Sequence, residues 1–201
     1  MAQAKKKKRF FDVDMPIISK QTQLLAFELP ELEGKYIKYD LTRILRGKSI
    51  LLQLKVSVNE QEHKATALPR GIVLMPYFLR RMIRKGTDYV EDSFTAECKN
   101  AIIKIKPFLI TRRKVSNRVR RGLRDKAKEE LKKYIKEKNT ERLFEEILKN
   151  KLQKELSSTL KKIYPLSLCE IKSFEIEKDL EIKEVAPKKV EKKAKEENSK
   201  E

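Results

Sequence analysis

Apolar and polar residues change their spacing twice along the chain, and the changes divide it into three parts. Tyr36, Lys38 and Asp40 alternate with Ile37, Tyr39 and Leu41 behind the turn residues Glu33-Gly34-Lys35, and Ser49 to Val58 reads SILLQLKVSV. A period of two predicts a strand in each. The short link RGKS at 46–49 joins them as a hairpin or a longer meander. A third strand is expected over Lys64 to Leu68. The stretch LMPYFLRRMIRKG then predicts one short helix: Pro76 suits a first turn, Phe78, Leu79, Met82 and Ile83 form an apolar stripe, and Gly86 suits a position beyond the end.

Strand-like patterns return over Thr87 to Cys98 and Ala101 to Ile110, joined at Lys99-Asn100. Pro107 lies inside the second. Because proline cannot donate to a ladder, it belongs at an edge, a bulge or a bend. From Ser116 the period lengthens. Val119, Leu123, Ala127, Leu131 and Ile135 recur every four residues, a helix capped by Ser116 or Asn117. Asn139-Thr140 interrupts it, and a second helix is expected from Thr140 to Ile163, ended by Pro165. Leu166 to Ile176 alternates again and should rejoin the N-terminal sheet, with Ile163, Leu166, Leu168, Ile171 and Phe174 facing inward and Glu170 and Lys172 peripheral. The pattern as a whole predicts an α+β body over residues 10–182.

Charge sharpens this picture. Of 201 residues, 49 are Lys or Arg and 30 Asp or Glu, a net charge of +19. The excess is concentrated in the middle: residues 64–128 carry 18 bases and 5 acids. A polyanionic partner is indicated. Residues 111–128, TRRKVSNRVRRGLRDKAK, hold nine bases and one acid. On a helix from Ser116, Arg118 and Arg121 share one surface with Asp125, and Arg120 and Arg124 an adjoining one, while Val119 and Leu123 face the core. Arg112, Arg113 and Lys114 precede them. Arginine forks grip phosphate with two bonds and stack on bases. A second cluster, Arg80, Arg81, Arg84 and Lys85, stands on the short helix, in a stretch free of acids from Lys64 to Thr87. Lys5, Lys6, Lys7, Lys8 and Arg9 form a basic arm over residues 1–9, and residues 183–201, charged and almost free of large apolar side chains, are expected to be disordered. Among aromatics near these cations are Phe10, Phe11, Tyr77, Phe78 and Phe108. Most should be core, with Phe10 and Phe11 the ones expected to meet RNA.

Catalysis finds little support. His63 is the only histidine, and Cys98 and Cys169 lack zinc-ribbon spacing and read as free buried thiols. RGKS has no Gly five residues earlier, so it is no phosphate loop. Asp88, Glu91 and Asp92 could hold magnesium but read as the polar start of a strand. No cofactor, metal site or membrane span of about 20 residues is indicated, and the N-terminus lacks the apolar core of a signal peptide. A DNA-compacting protein is the rival reading, since basic charge serves both nucleic acids; a basic nuclease would need a carboxylate cluster.

The order FFDVDMP, LEGKYIKYDLTRI, SILLQLKV, LRRMIRKGTDYVEDSF, IIKIKPFLITRRKVSNRVRRGLR and KKIYPLSLCEIKSFEI resembles the archaeal and eukaryotic type of small-subunit ribosomal protein S-one, also called S3Ae, over residues 5–178. The block after IKPF and the IYPL-to-EI ending are its most specific parts. Phe10-Phe11 stands where the family usually has a Trp or Tyr, and Glu97 to Asn100 where it has a Gly-Tyr turn. The resemblance implies a curved, barrel-like sheet, antiparallel or mixed, with a short helix and two longer C-terminal helices. It implies a cytoplasmic, non-catalytic, structural role on the small subunit's platform near the messenger exit and the rRNA 3′ end. Small-subunit rRNA, neighbouring ribosomal proteins and messenger RNA near the exit channel would be its partners. The absence of long eukaryotic-style extensions leans towards an archaeal source.

Overall fold

The computed structural model describes residues 7–45, 47–59 and 64–180. His63, Lys5, Lys6 and the charged stretch 183–201 lie outside them. Among the described residues there are nine strands and four helices, an α+β arrangement.

The strand predictions over 36–58 hold: β3 (Tyr36–Asp40) and β4 (Ile50–Asn59), as numbered in chain order, pair antiparallel with Tyr36 opposite Lys55. Ile50, Leu52, Leu54 and Val56 are buried on one face of β4, the product of their period-two spacing. β5 (Lys64–Leu74) runs six residues beyond the expected end at Leu68. The extension passes through Pro69 and Gly71, residues that ordinarily interrupt a strand. Pro69 is accommodated beside a register shift in β4 at Gln53/Leu54, and Gly71 sits where a Cβ would come within 3.3 Å of Gln53 and Glu175 from both sides.

Two strands went unforeseen in the N-terminal region. β1 (Arg9–Met15) and β2 (Lys20–Ala26) form an antiparallel hairpin whose Asp12, Asp14, Gln21 and Gln23 obscure the alternation of Val13, Met15 and Ala26 beneath. β1 also runs parallel to β5, Val13 opposite Ala65. Its first residue, Arg9, thus belongs to the sheet and not to the basic arm.

β9 (Leu166–Asp179) returns as predicted. It joins β5 on one side through Ile72 and Phe174, and on the other β8 (Ala101–Thr111). The far edge of β8 carries β7 (Phe94–Glu97) and then β6 (Tyr89–Glu91). Pro107 falls between their pairings, at a register shift against β9, so no donor is missed on that edge. The sheet is therefore mixed, branches at β5 and does not close.

α1 (Pro76–Met82) begins at the proline, though Gly86, with φ +88°, turns the chain four residues after its end. α2 (Asn117–Lys136) follows Ser116 and buries Leu123, Ala127, Leu131 and Ile135. The second long helix is not continuous. It divides into α3 (Thr140–Leu148) and α4 (Lys151–Leu160) at Asn150, which is left-handed at φ +59°. Asparagine tolerates that conformation, and the apolar spacing carries across the break, which is why periodicity alone predicted one helix. Phe144 of α3 meets Phe174 of β9 edge-on at 5.0 Å, closing the helical layer onto the sheet.

Two assignments near β9 reverse. Ile163 lies beyond α4 and is 45% exposed, whereas Glu170 is buried and paired with Lys48 at 2.5 Å. The pairing falls between residues more than a hundred positions apart, beyond the reach of local pattern.

Candidate nucleic-acid interface

The start of α2 is fixed by a buried clasp. Thr111, wholly inaccessible, donates its amide to the Asp88 carbonyl at 2.9 Å, and its hydroxyl donates to the Arg113 carbonyl at 2.7 Å. The Asp88 carboxylate in turn accepts the Val115 amide at 2.9 Å. This one aspartate ties the segment after α1 to the segment before α2. Arg84 and Lys85, four and three residues from Asp88, and Arg112, Arg113 and Lys114, flanked by Thr111 and Val115, therefore converge on the same clasp. All five are exposed.

Beyond it the first turns of α2 open onto a cleft of about 530 Å³ lined by Tyr89, Asn117, Arg118, Arg120, Arg121 and Arg124. Burial of Leu123 and partial burial of Val119 turn these arginines outward, as their spacing predicted. Arg120 donates to the Asn117 side chain. Among the described residues, Arg118, Arg121 and Arg124 have no ion-pair partner. The later turns of α2 differ: Lys126 bridges Glu129 and Glu130, whose hydrogen bonds raise its pKa, and Lys138 beyond the helix end binds Glu146 at 2.7 Å. Lys126 and Lys138 are thus paired within the fold, and the later turns of α2 mix acids with bases, whereas the charged residues of the first turns are arginines alone up to Asp125.

Tyr89 is the residue that pattern reading missed. It is 51% exposed, yet one face of its ring stacks on buried Phe108 at 6.0 Å and 27°. Its place at the start of a strand beside Val90 gave only an alternation signal; the arginines that surround it come from 29 to 35 positions later.

The other predicted residues are distributed more widely. Arg80 and Arg81 stand exposed on α1 because Phe78 and Leu79 anchor its opposite face, and Arg81 lies over the Phe78 ring at 5.5 Å. Lys7, Lys8 and Arg9 are exposed at the free end of the β1–β2 hairpin, Lys8 over Phe27 at 5.2 Å. Phe10 is exposed opposite Leu25, whereas Phe11 packs against the core; Tyr77 is exposed, and Phe78 and Phe108 are core.

Groups with other chemistry are engaged structurally. Glu91 pairs with Lys172 at 2.8 Å, Asp92 accepts the Ser93 amide, and among the described residues no cluster of three or more His, Cys, Asp or Glu could hold a metal ion. Burial pushes the Cys169 thiol up to about 12, far from a reactive thiolate. Burial also raises the Glu170 carboxyl despite its Lys48 partner, which donates a further bond to Asn150. No described helix is long and apolar enough to cross a membrane.

A basic α+β body with a cluster of arginines around a cleft at one helix start is the class these observations define. More particularly, the chain belongs to the Ribosomal S3Ae family, whose model matches residues 2–179. It is similar to small ribosomal subunit protein eS1 of Methanothermobacter thermautotrophicus, at 35% identity over a segment covering 47% of this chain and 49% of that one. It is also similar to the proteins of the same name from Nanoarchaeum equitans, at 23% identity over 86% of this chain and 90% of that one, and Saccharolobus islandicus, at 24% over 85% of each.

Proposed function

We propose that the protein is a structural, non-enzymatic constituent of the small ribosomal subunit, in the cytoplasm, that binds folded rRNA. Membership of the family supports the subunit role. The observation that carries the RNA reading is the set of arginines around the α2 cleft that have no carboxylate partner among the described residues. Such groups neutralise phosphates and release counterions, and a rigid body that does so at several points fixes the spacing of RNA segments that would otherwise repel. Lys5 to Arg9, Arg80, Arg81, Arg84, Lys85, Arg112, Arg113 and Lys114 extend the contact surface. A seat on the platform near the messenger exit, beside other ribosomal proteins, follows from the family resemblance.

Purified protein titrated with small-subunit rRNA and with duplex DNA of equal phosphate content, across a salt series, tests the reading. Tighter binding to rRNA with a steep salt slope is expected. Equal affinity for both would favour a general nucleic-acid-binding protein instead.

A further inference from the structure

We propose that the cleft at the start of α2 is a receptor for one unpaired nucleotide, its base laid on Tyr89 and its flanking phosphates held by Arg118, Arg121 and Arg124. The inference deepens the rRNA-binding reading and rests on it. Phosphate neutralisation alone requires only cations. Here an aromatic ring stands among them, and the geometry is specific: Tyr89 is half exposed, one face is backed by the fully buried ring of Phe108, and the residue lines the cleft together with the arginines.

A ring so supported is already ordered, so little conformational entropy is lost when a base stacks on it. Tyr89 differs in this from Phe10, which is more exposed but has no ring beneath it. A paired helix cannot use the platform, because the faces of its bases are covered by their stacked neighbours. A looped-out nucleotide presents both a base face and its phosphates. The cleft volume of about 530 Å³ is that of a small-ligand site, which spans roughly 300–1,000 Å³. Arg120 donates to Asn117, while the other three arginines lining the cleft have no ion-pair partner among the described residues and can reach phosphate.

The test compares two RNA probes of equal phosphate count, a hairpin with a single-stranded loop and a fully paired duplex, on the full-length chain and its Tyr89 variants. Tyr89→Ala is expected to weaken hairpin binding roughly 5- to 150-fold, with duplex affinity and the salt slope unchanged. Tyr89→Phe keeps the ring and should bind the hairpin as the parent does. The chain contains no tryptophan, so Tyr89→Trp places a lone indole in the cleft, excitable apart from the remaining tyrosines, whose emission the hairpin should quench and the duplex should not. Equal losses on both probes, or unquenched emission with hairpin bound, overturn the nucleotide receptor. Tyr89→Ala binding both probes as the parent does, with the salt slope intact, overturns it while leaving rRNA binding by phosphate contacts standing. A parent chain that binds neither probe overturns both readings.

Discussion

Phe174→Ala should remove a buried ring that joins the helical layer to the sheet. Phe174 is fully buried on β9, opposite Ile72 of β5 and Ile105 of β8, and its ring meets Phe144 of α3 edge-on at 5.0 Å and 87°. Truncating a buried Phe costs about 3–5 kcal/mol. Of this, about 0.5–1.5 kcal/mol belongs to the edge-on ring pair and should emerge as coupling in a cycle with Phe144→Leu and Phe174→Leu. Against a total stability of about 5–15 kcal/mol, the loss is large. For a chain of this size about 1 kcal/mol moves Tm by about 2–4 °C, so Phe174→Ala should melt about 6–20 °C lower. Urea and thermal denaturation followed by circular dichroism read the free-energy loss and the Tm, and Ile163→Ala, at an exposed site, should stay within about 0.5 kcal/mol of the parent. A Phe174→Ala midpoint equal to the parent's, or zero coupling with Phe144, would refute the packing described.

Three further outcomes follow from particular contacts. Burial pushes the Glu146 carboxyl up, but hydrogen bonds from Lys138 and Tyr134 outweigh it and hold the folded pKa below its ordinary 4.5. Its stabilisation is therefore present above that value and lost as pH falls through the folded pKa. Glu146→Gln should cost about 1–3 kcal/mol in urea titrations at neutral pH, with the gap to the parent closing in acid. Asn150→Ala and Asn150→Gly both delete the bond to Lys48, yet only alanine is strained at φ +59°; alanine should be less stable by about 1 kcal/mol in thermal melts. Changing Arg118, Arg120, Arg121 and Arg124 together to Gln should leave Tm almost unchanged while lowering the salt slope of RNA binding by up to about 3, taking about 0.7 per lost phosphate contact.

Strands and helices whose apolar positions alternate cleanly were legible in the sequence: β3, β4, β8, β9 and the buried stripe of α2. The β1–β2 hairpin was not, because its outward face mixes Phe10 and Leu25 with Asp12 and Gln23 and so masks the period. The break at Asn150 was hidden for a different reason. A left-handed residue removes a single turn of helix while Leu152, Leu156 and Leu160 continue the stripe. At the candidate interface, the outward arginines of α2 followed from spacing, since burying Leu123 obliges them to face away. Tyr89 and the Asp88 clasp did not, because both depend on β6 lying beside β8 and on α2 starting next to it. Glu170 was misplaced on the same grounds: only the fold brings Lys48 to it.

The central claim is that the chain is held on the small ribosomal subunit through RNA. The direct measurement is to follow the full-length protein from its native cells through a sucrose gradient after a high-salt wash, with and without ribonuclease. Sedimentation with small subunits, and release when the RNA is digested, are the predicted results. Recovery at the top of the gradient before digestion, or with chromosomal DNA, would contradict the account.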